Sequence, residues 1–196
     1  MKFIIARHAE TEANANRIFS GWTDYPLTEK GIKQAKRLGY MLKKNYNIDK
    51  LYSSPLDRAL KTANIVSKSI EREIIVTDNL KEVNFGIFEG KTGEEIQAEH
   101  GEHWDSWHKD YVNFRLPQGE NLIDLLDRIR PLIDNLKQGD KDCLLVTHAA
   151  VMQVAITYLL DLDLKKMWNF QCKNCSFVEI EYSNNFAFIK RLSPVD

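Results

Sequence analysis

Cysteine is scarce in this chain, and its count is odd. Three thiols, Cys143, Cys172 and Cys175, argue against a disulfide scaffold and suit a reducing compartment. Cys172 and Cys175 form a C-x-x-C pair, yet no two further ligands stand at a spacing that would complete a structural zinc site. Both read as spectator thiols. Long apolar runs are absent too. No stretch reaches the roughly 20 residues that a membrane helix needs, and the N-terminus lacks the basic-then-apolar order of a signal peptide. The first strand begins at Lys2, which leaves no room for a removable segment. The expected location is the cytoplasm. No sign of charge dominates: 27 Lys and Arg against 28 Asp and Glu give a net charge of −1. No broad field draws the chain to nucleic acid or to a membrane, so any basic site has to be a local cluster. Repeats, low-complexity tracts and linkers are also missing, and residues 1–196 read as a single domain.

What is present is an alternation of short apolar runs with amphipathic stretches. Lys2–Ala6 is an unbroken apolar strand, which implies burial on both faces. Thr28 is suited to cap a helix that turns Ile32, Ala35, Leu38 and Leu42 to one side. Leu51–Ser53 is a short strand, after which Ser54 and Pro55 fit the cap and first residue of a second helix. Ile74–Thr77 is a third strand. Glu120–Gln138 is a long helix with Leu122, Leu125, Leu126, Ile129 and Ile133 inward, bent by Pro131 and stopped by Gly139. Cys143–Thr147 is a fourth buried strand, followed by a helix over Ala149–Leu160. Phe177–Tyr182 and Ala187–Leu192 form a hairpin about Asn184 and Asn185. The pattern predicts an α/β fold of three layers, α/β/α, around a mostly parallel sheet.

In such sheets ligands bind beyond the carboxyl ends of the strands. The residues just past those ends are Arg7 and His8, then Ser53, Ser54 and Arg58, then Glu82, and finally His148. Taken singly, each is an ordinary polar residue. Together they suit phosphate chemistry. Arginines bind phosphate oxygens in two-pronged fashion, and a helix N-terminus beside Arg58 favours an anion. A histidine can attack phosphorus, and a carboxylic acid can protonate a leaving alcohol.

Five segments then carry a resemblance in order: RHAETEAN (Arg7–Asn14), FSGWTDYPLTEKG (Phe19–Gly31), SSPLDRALKTA (Ser53–Ala63), LKEVNFGIFEG (Leu80–Gly90) and VTHAAV (Val146–Val151). They resemble the motifs of the histidine phosphatase superfamily, the phosphoglycerate mutase-like proteins, over nearly the whole chain. The resemblance implies that His8 is the nucleophile that becomes phosphohistidine. Arg7, Arg58 and His148 would hold the phosphoryl oxygens, and Glu82 would be the acid. Asn14, Ser20 and Gly21 fall on the substrate-binding side. It implies no metal and no cofactor, and a small-molecule phosphomonoester as partner of a monomer or homodimer. Two departures stand out. Ala9 replaces the usual glycine, and Ala149-Ala150 replace a frequent glycine pair. Alanine fits both places if φ is negative.

Other features have competing readings. His100, His103 and His108 lie among Trp104, Trp107 and Tyr111. A metal site, core packing and a lid over the leaving group are all open. Glu10 and Glu12 read as solvated charges or helix-end partners. Glu89 rivals Glu82 as the acid, although motif position favours Glu82. Only 66 positions separate Glu82 from His148, and the chain ends soon after its last strand. Mutases of the family carry more in both places, which favours hydrolysis. Compact phosphatases, α-ribazole phosphatases among them, are the expected kin. A phosphoglycerate mutase-type transferase and a non-catalytic phospholigand-binding module are the alternatives.

Overall fold

Strand β1 (Lys2–Arg7) has no polar alternation because both its faces are covered. Phe3 and Ile5 enter one core, and Ile4 and Ala6 the other. The structure, a computed structural model, describes residues 1–193. The remaining strands are β2 (Lys50–Ser53), β3 (Ile74–Val76), β4 (Cys143–Thr147), β5 (Phe177–Ser183) and β6 (Phe186–Ser193). They form one sheet in the order β3-β2-β4-β1-β5-β6. The first four run parallel, and β5 and β6 are antiparallel. Asn184 and Asn185, at φ 52° and 59°, make the tight turn of the closing hairpin, as their tolerance of the left-handed region allows.

Helices α2 (Glu29–Asn45) and α3 (Asp57–Ile70) cover one face, contributing Ala35, Leu38, Leu42, Ala59, Ala63 and Val66. Helices α5 (Leu122–Lys137) and α6 (Ala149–Leu159) cover the other. This is the predicted three-layer α/β/α arrangement. A short helix α1 (Glu12–Ala15) follows β1, and α4 (Gly93–Lys109) packs apart from the sheet, against Phe88 and Leu116. No helix among the described residues is long and apolar enough to cross a membrane.

Several local expectations need correction. Ile32 is 39% exposed. The inward phase of α2 runs through Gly31, Ala35, Leu38 and Leu42, which leaves Ile32 about 100° off it. Helix α3 starts at Asp57, not at Ser54-Pro55. Its first N–H groups, those of Asp57 and Arg58, are accepted by the Asp24 carboxylate at 2.7 and 3.4 Å, so the cap comes from 33 residues away. Helix α5 begins at Leu122 behind an Asn121–Asp124 capping box. It continues through Pro131 to a cap at Gln138, one residue before Gly139.

Sheet register prepares the site. Arg7 lies opposite Thr147, and Ser53 opposite Val146. The N–H of His8 donates to the Thr147 carbonyl at 2.8 Å, and that of Ser54 to the Val146 carbonyl at 3.1 Å. The residues that leave β1, β2 and β4 therefore emerge at one level of the sheet.

Candidate active site

Above that level lies a cavity of about 290 Å³, lined among others by Arg7, His8, Asn14, Arg17, Ser20, Arg58 and Glu82. The ring of His148 stands 5.1 Å from that of His8, centroid to centroid, and is fully buried behind it. Gly21 does not line the cavity. A side chain there would press on the Val83 carbonyl and the Glu89 carboxylate, so its value is close packing.

His8 has one ring nitrogen engaged and the other available. Its Nδ1 lies 2.8 Å from the Ala9 carbonyl, which can only accept. Nδ1 therefore carries the proton and Nε2 the lone pair. Burial first, then the charges of Arg7 and Arg58, hold its pKa well below the ordinary histidine value. The ring is neutral at neutral pH. Ala9 is wholly buried, has negative φ, and donates its N–H to Thr62 Oγ at 3.0 Å. Alanine is accommodated here without strain, and the same holds for Ala149 and Ala150 in the first turn of α6.

His148 complements His8. Burial, then the charges of Arg58, His8 and Arg7, also keep it neutral. Its Nε2 is 2.9 Å from Ser54 Oγ, and that hydroxyl already accepts the Leu56 N–H at 3.2 Å. With its oxygen accepting from Leu56, the hydroxyl is free to donate its proton to Nε2, the tautomer in which the ring proton sits on Nδ1. That Nδ1 is one of three buried side-chain polar atoms without a partner among the described residues; the others are Arg7 Nε and Arg58 Nε. Buried donors are normally paired. The three belong to residues grouped near His8, from β1, α3 and the position just ahead of α6. Ser54→Ala should lower kcat by roughly 5- to 100-fold, the cost of leaving one buried partner unsatisfied. Ser54→Thr, which keeps the hydroxyl, should recover most of it, and steady-state kinetics on both variants check this.

The arginines are less free than expected. Arg7 Nη1 donates to the Cys172 carbonyl at 2.8 Å. Arg58 Nη1 donates to the Thr23 carbonyl and pairs with Asp24 at 2.8 Å. Arg58 Nη2 donates to the carbonyls of Ser20 and Gly21. Its fork thus shapes the 20–24 loop, while Nε is left without a partner among the described residues. The same Asp24 carboxylate occupies the N-terminus of α3, which is therefore not the anion seat anticipated. Arg58→Lys should fall with Arg58→Ala by roughly 10²–10³-fold in kcat/KM, because an ammonium cannot satisfy that planar set of acceptors. Near-native turnover by the lysine variant would show that charge alone suffices.

Glu82 is 6% exposed, and its carboxyl pKa is raised, by burial above all. The Val83 N–H, the Arg58 charge and the Ala150 N–H oppose that rise in part. Its oxygens accept the Val83 N–H at 3.0 Å and the Ala150 N–H at 3.3 Å. The segment is fixed from behind by Arg128, which donates to the carbonyls of Lys81 and Glu82 at 2.8 and 3.1 Å. Glu89 has other work: its carboxylate accepts N–H groups from Gly21, Trp22, Thr23 and Phe85 at 2.9 to 3.1 Å. That leaves it a loop organiser. Asn14 Oδ1 accepts from Thr11 and from Asn174, which leaves its amide N–H groups as the end that can serve a ligand.

Sequence reading missed Arg17, Asp24, Thr62 and Arg128, and it placed Ser54 at its strand end but took it for a helix cap rather than the partner of His148. It also underrated the C-x-x-C loop. The Cys172 carbonyl holds Arg7, and the Cys175 N–H donates to the His8 carbonyl at 3.2 Å. Burial raises both thiols to about 12, so they remain protonated. Trp104 packs on Phe19 and Phe88. Glu10 pairs with Lys30 at 2.7 Å. Among the described residues, no group of three or more His, Cys, Asp or Glu is placed to hold a metal ion.

Comparison with known proteins gives the family and the fold. Residues 3–193 match the model of the histidine phosphatase superfamily (branch 1). Phosphoserine phosphatase 1 of Hydrogenobacter thermophilus is 30% identical over 98% of this chain and 92% of its own length. The crystal structure of the α-ribazole phosphatase from Shigella flexneri superposes with a TM-score of 0.90 at 28% identity, over 98% of this chain and 96% of that one. A phosphoglycerate mutase structure from Bacillus anthracis matches with a TM-score of 0.81 at 28% identity, over 97% and 91%. The chain belongs to the histidine phosphatase superfamily. It is an enzyme, a phosphoric monoester hydrolase.

Proposed function

We propose that the protein hydrolyses small-molecule phosphomonoesters, without a metal ion, through a phosphohistidine on His8. The observation that carries this is the trio of unpartnered buried donors, Arg7 Nε, Arg58 Nε and His148 Nδ1, beside a neutral imidazole whose proton is held on Nδ1. A phosphoryl group seated on those donors has its phosphorus open to Nε2. In the first step the Nε2–P bond forms and the ester P–O bond breaks. The proton of Glu82 passes to the leaving oxygen, and the raised pKa of that carboxyl favours its protonated form. The positive charge that grows on the ring is stabilised through Nδ1–H and the Ala9 carbonyl. In the second step Glu82, now a carboxylate, takes a proton from water as its oxygen attacks phosphorus and the Nε2–P bond breaks. The three N–H donors and the nearby guanidinium charges stabilise the equatorial oxygens in both steps.

The alternative acceptor is a second phosphoester, as in a mutase. A mutase has to exclude water until that acceptor arrives. Residues between Glu82 and His148 form a single 3-10 turn (Gly86–Phe88), α4, α5, strand β4 and their connections, which is little material for such a cover. Given 3-phosphoglycerate with a trace of 2,3-bisphosphoglycerate, the enzyme should release inorganic phosphate and form little 2-phosphoglycerate. A parallel assay on ordinary phosphomonoesters, with and without chelator, establishes that the preparation is active. Efficient isomer interconversion with little phosphate release would make the protein a mutase.

A further inference from the structure

A second cavity, of about 170 Å³, adjoins the phosphate seat. Phe19 and Phe85 line both. Val83 follows Glu82 in the chain, and Ala150, whose N–H is bound by Glu82, forms another part of the wall. Trp107, Tyr111 and Met167 complete an almost wholly apolar lining. Three polar side chains at its edge, Tyr111, Glu120 and Asn121, are engaged elsewhere. The Tyr111 hydroxyl donates to the Lys165 carbonyl at 2.9 Å. Glu120 is bound by Arg128 at 2.9 Å and by the Asn84 N–H at 3.0 Å. Asn121 caps α5 and donates to the Asn113 carbonyl.

The placement relative to the acid matters most. Glu82 would deliver its proton to the leaving oxygen, so whatever is attached to that oxygen extends past Glu82, towards Val83 and Ala150. The cavity begins there. Its volume is close to that of an apolar protein cavity of about 150 Å³ that takes up benzene. A polar head entering it would lose water without gaining partners, whereas an apolar ring would be favoured by its burial.

We infer that this cavity receives the leaving alcohol, and that the preferred substrates are phosphate monoesters whose alcohol carries a single aromatic ring or a compact alkyl group rather than an amino-acid or sugar-acid head. The inference rests on the phosphatase reading given above and adds the substrate class to it. Trp107 and Tyr111, from the segment after the acid, are then walls for the leaving group, while Trp104 belongs to the packing beneath.

The test compares ethyl phosphate, 2-phenylethyl phosphate and O-phosphoserine, whose ester oxygens all leave as primary alcohols. The phenylethyl ester should exceed the ethyl ester in kcat/KM by roughly 10- to 100-fold, as burial of one apolar ring implies. O-Phosphoserine should fall below the phenylethyl ester. In Trp107→Ala the phenylethyl-to-ethyl ratio should drop at least about fivefold, in line with lost apolar contact. Both esters are measured on one preparation, so the fraction of folded protein cancels from that ratio. Equal, measurable turnover of the two esters would overturn the inference while leaving the phosphatase reading intact. So would a preference for O-phosphoserine, or a ratio unchanged in Trp107→Ala. Failure to hydrolyse any of the three would reject both.

Discussion

Replacing His8 by alanine should abolish covalent capture of phosphate. Wild-type enzyme denatured rapidly during turnover should carry acid-labile phosphate, and His8→Ala should carry none. Turnover should fall by roughly 10⁴–10⁶-fold, the range found when one member of an interdependent nucleophilic unit is removed. The loss should be larger than for any other single change in the site, because no neighbour can take over. His148 has its Nε2 on Ser54, and its remaining nitrogen carries the proton. Because burial and two arginines depress the His8 pKa, the acid limb of kcat/KM should lie below the ordinary histidine value near 6.5. Equal labelling of both proteins would remove His8 from its role.

Glu82→Gln should slow alkyl phosphates by roughly 10²–10⁴-fold, the usual reach of general acid catalysis. Aryl phosphates, which leave readily without a proton, should suffer less in the phosphorylation step. The variant also carries a pH signature. Glu82 acts as acid only while protonated, so activity falls as pH rises through its raised pKa. That alkaline limb should vanish in Glu82→Gln when the same substrate is used for both proteins. Burst kinetics separate phosphorylation from dephosphorylation. If alkyl and aryl esters slowed equally in the first step, or if Glu89→Gln had the larger effect, the acid would have to be reassigned.

The parts of this enzyme that were legible in its sequence are those encoded locally. Unbroken apolar runs marked β1 and β4 because strands covered on both faces need no polar residue until they end. The residues at those ends, Arg7, His8 and His148, were therefore easy to pick out. What escaped was set by contacts between distant segments. Asp24 caps α3 from 33 residues away and holds Arg58 at the same time. Ser54 fixes a histidine 94 positions further on, and a serine after a strand invites a local capping reading instead. Arg128 supports the Glu82 segment from a different helix. Ile32 misled because an isoleucine outweighs a glycine in any hydrophobic pattern, whereas burial follows helical phase. The apolar cavity draws its walls from several separated stretches, so no single one reveals it.

The three buried N–H groups that lack partners have a consequence for the life of the folded chain. A buried N–H without a partner costs about 1–3 kcal/mol. On the reading proposed above, inorganic phosphate would supply those partners, and by binding only the native state it would stabilise the fold. At a hundred times its dissociation constant it would add about 2.7 kcal/mol. Phosphate bound at the proposed site would then protect the fold, and the melting temperature should rise with added phosphate.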